Sequence, residues 1–411
     1  MTKFCKSTLT ATLISSALAI WAAPASAQSN VNLYGHLDVG ALSISNTSAG
    51  TGYLPSAANA GASKQFKDGG LGASNWGLLG SEDLGGGYKA IFQLQGNLAV
   101  DTGVTGGPGS SATSSMWNQM ALVGLSGGFG EVKLGRQISP MYFAMASTDA
   151  RAGRYFGSSL TALVGLNSAS GVFIGDNSNA AFGSVYNDNA IVYTSPALAH
   201  VTINVEYAMG ETAGSVKANS QQALTAVYDD QGLRLSALYY NGYGNNLPDA
   251  TLLYTKKLGS ATTAAAALTA AGLTPTTNTN RLTSVGALYR WGAYKVSAAY
   301  FEARNPSKVM VLPGGSASLD MWSVGGAWNI AANMDLSGGY YRVKDNTNAG
   351  NAASQFALGL DYFLSKRTLG YFEVASATNH GANMNLSPVY ATAVVANKNV
   401  HAAMLGLRHT F

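Results

Sequence analysis

Short segments that alternate oily and non-oily residues recur from one end of this chain to the other, and no other feature limits its fold as much. In QFALGLDYFL, Phe356, Leu358, Leu360, Tyr362 and Leu364 share one parity, while Gln355, Ala357, Gly359 and Asp361 share the other. In KAIFQLQGNL, Gln93, Gln95 and Asn97 oppose Phe92 and Leu94. The chain even ends inside such a pattern, HAAMLGLRHTF, with Leu405, Leu407 and Phe411 on one face and Met404, Gly406, Arg408 and Thr410 on the other. A strand sends successive side chains to opposite faces, so each segment has one oily face to bury or to set in lipid.

Sixteen such segments stand out, near 31–42, 74–81, 88–98, 116–126, 130–136, 189–195, 201–209, 221–229, 232–241, 281–291, 293–303, 318–329, 334–343, 354–364, 368–377 and 401–411. Their connections alternate in length. SEDLGGG, SGGFG, DDQG, Trp291–Ala293 and SKR are tight turns, whereas 137–188, 244–280, 304–317, 344–353 and 378–400 are long. Only 11% of residues are charged, against roughly a quarter in soluble domains, and glycine reaches 49 and tyrosine 21. A soluble β-sandwich accounts for the alternation but not for the scarcity of charge or the strict long–short rhythm. No apolar run is long enough for a membrane helix, and a closed barrel is the other structure that satisfies every backbone group in lipid. The expected fold is therefore all-β: a 16-stranded antiparallel transmembrane β-barrel with short periplasmic turns and long extracellular loops.

The N-terminus reads as an address. Lys3 and Lys6 precede a broken apolar stretch from Leu9 to Ala23, and Ala25-Ser26-Ala27 fits a cleavage site between Ala27 and Gln28. That divides the chain into a signal peptide, 1–27, and a barrel, 28–411. The one cysteine, Cys5, would leave with the signal, which excludes a disulfide framework and thiol chemistry in the mature chain. No basic tract points to nucleic acid, and no clustered ligand motif points to a metal or cofactor. Among the five histidines, His36 sits two residues from Asp38 on one face of the first strand, but no nucleophile motif accompanies the pair. Pore lining is the expected role for both, and the chain is not expected to be an enzyme.

Specific runs resemble the general porins of Gram-negative β-proteobacteria. They are LYGHLDVG, NWGLLGSEDLGGGYKAIFQL, LVGLSGGFGEVKLGRQ, YTSP (Tyr193–Pro196), LSKRT (Leu364–Thr368) and the terminal GLRHTF (Gly406–Phe411), in the family's order. The resemblance implies an outer-membrane homotrimer through which small hydrophilic solutes diffuse passively. It also implies that the third long loop, 137–188, folds inward to narrow the pore. Lipid and lipopolysaccharide follow as partners, as does an outer-membrane assembly machinery that reads the C-terminal strand ending at Phe411.

Relatives commonly carry wall arginines facing acids at the narrow zone. Here the matching positions hold Asn75, Gln119 and Tyr186, and the acid that usually closes FQLE is Gln95. Charged rings select ions, so their loss implies weak charge discrimination. Within the loop, Asp149, Arg151, Arg154 and Tyr155 are the expected constriction residues. On the wall Arg136 is retained, and strict alternation aims it outward unless a bulge at Gly135 turns it inward. The alternative is a receptor or adhesin barrel that binds a partner through its long loops; the low-complexity stretch Ala261–Asn280 would be one such surface.

Overall fold

The computed structural model describes residues 30–49, 57–105, 115–164, 185–244, 279–304 and 316–411. The expected leader, the expected cleavage site at Ala27 and Gln28, and most of the Ala261–Asn280 stretch lie outside the described residues. The strand segments are β1 (Asn30–Ser48), β2 (Asn59–Asp68), β3 (Asn75–Gly85), β4 (Tyr88–Asn97), β5 (Met120–Gly127), β6 (Gly130–Ile138), β7 (Tyr186–Thr194), β8 (Val201–Ala208) and β9 (Gln221–Asp229). They continue with β10 (Leu233–Tyr243), β11 (Thr279–Trp291), β12 (Tyr294–Arg304), β13 (Ser318–Ala331), β14 (Met334–Asp345), β15 (Ala352–Phe363), β16 (Thr368–His380) and β17 (Asn399–Thr410). Two short helices among the described residues, α1 (Pro140–Ser147) and α2 (Ser159–Val164), lie in the β6–β7 connection.

Each segment pairs antiparallel with its neighbours, and β17 returns to β1 with His36 opposite Thr410 and Ile44 opposite Ala402. Phe411 continues that seam: its amide donates to the Gly35 carbonyl at 3.0 Å, and the Gly35 amide donates to the Phe411 carbonyl at 3.2 Å. Closure removes the unpaired edge that would otherwise recruit other chains. The terminal strand is thus hydrogen-bonded on both sides, with Leu405 and Leu407 on the outer face.

The seventeen described segments make sixteen staves. β3 pairs with the first half of β1 and β2 with the second, so β2 and β3 are two pieces of one stave. The break spans Gly69–Ser74, where the buried Asp38 carboxylate accepts from the amides of Gly70, Leu71 and Gly72 at 3.2, 2.8 and 3.1 Å. These donors are satisfied by a side chain instead of a ladder. β2, NAGASKQFKD, escapes the sequence reading because its outer face offers only Phe66 as a large apolar residue. β5, the fourth segment of the sequence reading, expected from 116, also starts later, at Met120. Asn118 holds the preceding turn, accepting from the Asn97 amide and donating to its side chain.

The outer face is oily and ends in an aromatic belt on the short-turn side. Tyr289, Trp291, Tyr294 and Trp328 stack in sequence across β11–β13 with ring centroids 5.7, 5.8 and 5.9 Å apart. Such rings favour the membrane interface. The inner face is not uniformly polar. From β10 to β14 it carries Leu238, Tyr240, Leu282, Phe301, Leu319, Met321 and Val343, which form one buried cluster with Met141, Ala144, Ala162 and Leu163 of the third loop. Both faces of these strands are apolar because the inner one is covered by protein.

Candidate functional site

The third loop starts as a capped helix and then crosses the barrel. Ser139 caps α1, its Oγ accepting from the Met141 amide at 3.3 Å and donating to Glu206 on β8 at 2.5 Å. Pro140 follows at the first helical position, where a missing N–H costs nothing. Past the helix, Thr148 meets Ser236 at 3.0 Å and the Ala150 amide donates to Ser297 Oγ at 3.0 Å.

The loop's charged residues then lock it to β14–β16. Arg151 has no solvent-accessible surface. Its guanidinium donates to the carbonyls of Gly157 (2.7 Å), Phe156 (2.9 Å) and Ser337 (3.2 Å), to Ser337 Oγ (3.1 Å), and to the fully buried Glu373 carboxylate. Arg154 forks onto Asp361 at 2.5 and 2.9 Å and reaches Glu373 at 2.8 Å. Burial alone disfavours the Arg154 charge, but Asp361 and Glu373 hold its pKa above the ordinary value. Asp149 accepts from Tyr341 Oη (2.8 Å), the Ser159 hydroxyl (2.8 Å) and amide (2.9 Å), and the Arg151 amide (3.0 Å).

Asp149, Arg151 and Arg154, the expected constriction residues of the loop, are each engaged by partners on the loop or the wall. They are consumed in fixing the loop, because a buried guanidinium, Arg151, and a half-buried one, Arg154, need carboxylates and carbonyls around them. Tyr155 faces the open side. Its ring lies 4.2 Å from that of Tyr390 in the β16–β17 connection, its carbonyl accepts from the Tyr390 amide at 2.8 Å, and burial raises both hydroxyl pKa values.

Opposite this plug the wall from β1 to β7 stays open. A cavity of about 260 Å³ lies between them, lined by His36, Asn75, Gln95, Gln119 and Tyr186 from the wall and by Tyr142, Tyr155 and Tyr390 from the loops, with Arg408 of β17 at its side. Four positions singled out from the sequence, Asn75, Gln95, Gln119 and Tyr186, thus border one space. The amides are engaged with each other: Gln95 Nε2 donates to Gln119 Oε1 at 2.6 Å, and Tyr34 Oη donates to Gln95 Oε1 at 2.7 Å. Asn75 lies 3.4 Å from His36 Nε2.

Arg136 is at the wall, not in the lining. Gly135 takes φ +121° and the β6–β7 register shifts there, so a bulge is present. The guanidinium donates to Asp188 at 2.5 Å and to the Asn118 carbonyl at 2.8 Å, with its carbon 5.7 Å from the centre of the Tyr186 ring. Asp188 neutralises it.

Arg408 is the residue the sequence reading missed. It belongs to the small-or-polar face of HAAMLGLRHTF, which strand parity already turns inward. It forms no ion pair among the described residues. His36 borders the cavity, whereas Asp38 is occupied by three backbone amides and by Tyr371 Oη at 2.7 Å. The two are engaged separately. Among the described residues, no group of His, Cys, Asp and Glu is arranged to hold a metal.

A closed barrel of sixteen staves with an inward third loop and a narrowed lumen matches one family model. The model for Gram-negative porins covers residues 11–382. The chain belongs to this porin family. Outer membrane porin protein 32 of Delftia acidovorans is 29% identical over 402 residues, covering 96% of this chain and 98% of that one. An outer membrane porin protein of Bordetella pertussis is 25% identical over 433 residues, 97% and 99% of the two chains. Among solved structures, an anion-selective porin from Comamonas acidovorans superposes with a TM-score of 0.71 at 22% identity, covering 93% of this chain and all of that one. This porin is accordingly an integral outer-membrane protein whose water-filled barrel passes small hydrophilic solutes by passive diffusion.

Proposed function

We propose that the porin's narrow zone is a largely uncharged passage for small polar solutes, with a weak anion preference supplied by Arg408. The observation that carries this reading is the neutralisation of the other nearby cations. Arg136, Arg151 and Arg154 each meet a carboxylate, whereas Arg408 borders the cavity beside three amides and four tyrosines. Amides and phenols offer both donors and acceptors, which suits hydroxyl-bearing neutral solutes as well as ions. Charge discrimination then depends on one cation, while the family's usual basic ladder is replaced by Asn75, Gln119 and Tyr186.

The decisive experiment is the reversal potential of the purified protein in a planar bilayer under a salt gradient, corrected for the mobilities of the salt's own ions. A small anionic value is expected. A strongly anionic value would show that another cation governs the passage, and a cationic one would overturn the reading. Absence of conductance from demonstrably folded protein would favour the receptor reading instead.

The functional unit we infer is a trimer, assembled through a machinery that recognises the C-terminal strand and surrounded by lipid and lipopolysaccharide. A porin solved in a trimer form, OmpT of Vibrio cholerae, shares the fold at a TM-score of 0.57. Heating a mildly extracted sample should convert a large SDS-resistant band to a monomer band. A monomer alone in native detergent would refute the trimer.

A further inference from the structure

The cavity between the wall and the loops is furnished with rings. Tyr142 and Tyr155 of the third loop, Tyr186 of β7 and Tyr390 of the β16–β17 connection all border it. The Tyr155 and Tyr390 rings lie 4.2 Å apart at 31°, and Tyr142 meets the Phe143 ring edge-on at 5.7 Å. Phe143 is 55% exposed although α1 lies inside the barrel, so an aromatic face is offered to the lumen there too. Leu71, Ile138, Leu160 and Val185 give the cavity an oily side. The hydroxyls of Tyr142, Tyr155 and Tyr390 donate no hydrogen bond among the described residues, yet none of them is sealed from solvent. The face of a flat ring packs well on such surfaces, whereas a bare ion finds no partner in them.

Charge and hydrogen bonding follow in order along the wall. Arg408 stands at one end, on β17, and Tyr186 at the other, on β7. Between them come His36 on β1, Asn75 on β3, Gln95 on β4 and Gln119 just before β5. No carboxylate is among the lining residues. Asp38, directly opposite Arg408 on the ladder, is fully buried, and its oxygens are held by the amides of Gly70, Leu71 and Gly72 and by Tyr371. Its field reduces the pull of Arg408 on an anion. Charge alone therefore retains a solute weakly here, and the rings must supply the rest.

We propose that this cavity is a subsite for a small aromatic acid that carries a ring hydroxyl, such as para-hydroxybenzoate. The carboxylate would meet Arg408, the ring would lie among Tyr142, Tyr155 and Tyr390, and the hydroxyl would reach the Gln95–Gln119 amides. A phenol donates and accepts, as that amide pair does. Arg408 and Gln95 stand three strands apart, ~14 Å along the wall, a gap that two long side chains reaching inward narrow to the span of one substituted ring. A cavity of roughly 150 Å³ takes up a benzene ring, so about 260 Å³ has room for one with two polar substituents. The inference rests on the largely uncharged passage proposed above and names the solute class it would hold longest.

The test is block of the open-channel current of the purified porin in a planar bilayer at low salt. Para-hydroxybenzoate should halve the current at roughly 1–10 mM, the range that about ten heavy atoms reach at ordinary ligand efficiency. Acetate has the charge without the ring, and glucose has the hydroxyls without the aromatic face. Each should need at least about tenfold more. Tyr390→Leu should weaken the block by para-hydroxybenzoate about fivefold through the lost ring face, with each variant referred to its own open current. Arg408→Gln should weaken it about fivefold through the lost charge. Should either variant fail to fold, the three solutes on the wild-type channel decide alone. Equal block by acetate would reduce the site to a point charge, and equal block by glucose would make it a site for any hydroxylated ring. Either result, or no block by para-hydroxybenzoate at any soluble concentration, would overturn the proposal. The reversal potential in salt alone comes from the same channels, so failure of this subsite and failure of the weak anion preference are told apart.

Discussion

Arg408→Gln isolates the one cation assigned to the passage, and its effect is calculable from the cavity. A sphere of 260 Å³ places an ion at its centre ~6 Å from a guanidinium at the wall, where two unit charges interact by ~0.7 kcal/mol in water. An anion gains that energy and a cation loses it, so the permeability ratio carries ~1.4 kcal/mol, about tenfold. At 0.1 M salt the Debye length is ~10 Å, which cuts the interaction to roughly half and the ratio to about three- to fourfold. At 1 M the Debye length is ~3 Å and less than about twofold remains. The anion-to-cation ratio of the variant, taken from reversal potentials at both salt levels, should therefore fall about three- to fourfold at ~0.1 M and hardly at all at ~1 M. Arg408→Lys keeps the charge and should keep the ratio. An unchanged ratio in the glutamine variant would remove Arg408 from the passage. A drop that is equal at both salts would mean that the substitution reshaped the lumen and that its charge was not the cause.

Gln119→Arg places a second cation on the same cavity and should raise anion preference by a similar factor of about three to four at ~0.1 M salt; no change in reversal potential would show that the side chain at 119 does not face the ion path. Glu373→Gln strands Arg151, which has no solvent contact, and should cost the loop's attachment ~3–5 kcal/mol. The expected readout is noisier open-channel current and a lower temperature for loss of the native SDS-resistant form, and quiet current with unchanged heat resistance would refute the anchoring role. Deleting Phe411 removes the two backbone bonds to Gly35 at the closing seam, so the yield of heat-modifiable protein in the outer membrane should fall several-fold. Wild-type yield would show that neither the seam nor assembly depends on it.

Much of the wall was legible because strand parity is a local property. The oily set Phe356, Leu358 and Tyr362 is outermost in the structure, and Gln355, Ala357 and Asp361 are buried inside, as their alternation requires. Parity breaks down where both faces meet apolar surroundings. On β13, Leu319 and Met321 join the buried cluster beneath α2 inside, while Trp322 and Val324 face outward. Nothing in the local string says which oily residue meets lipid and which meets a loop folded in from elsewhere. β2 failed for the converse reason: its outer face is nearly bare of large apolar residues, and its pairing with β1 is carried by backbone bonds.

The charged residues of the narrow zone show where sequence reading stops, and why. Arg151, Arg154 and Arg408 look alike in the string, and the loop position of the first two made them the natural candidates for charge in the passage. What separates them is distance across the barrel. Glu373 lies 222 residues from Arg151 and Asp361 lies 207 from Arg154, so their neutralisation becomes visible only when β15 and β16 are laid beside the loop. Arg408 shares their chemistry but has the buried Asp38 as its near acid, and that carboxylate already accepts three backbone amides and a tyrosine hydroxyl. Those hydrogen bonds hold the carboxylate out of an ion pair with Arg408, which stands directly opposite it, but its negative field still acts on the guanidinium. The break in the second stave and the charge of the passage are for this reason linked. A substitution such as Asp38→Asn, which weakens the cap on Gly70–Gly72, also removes the negative field on Arg408, so the local fold at the break and the ion preference should change together.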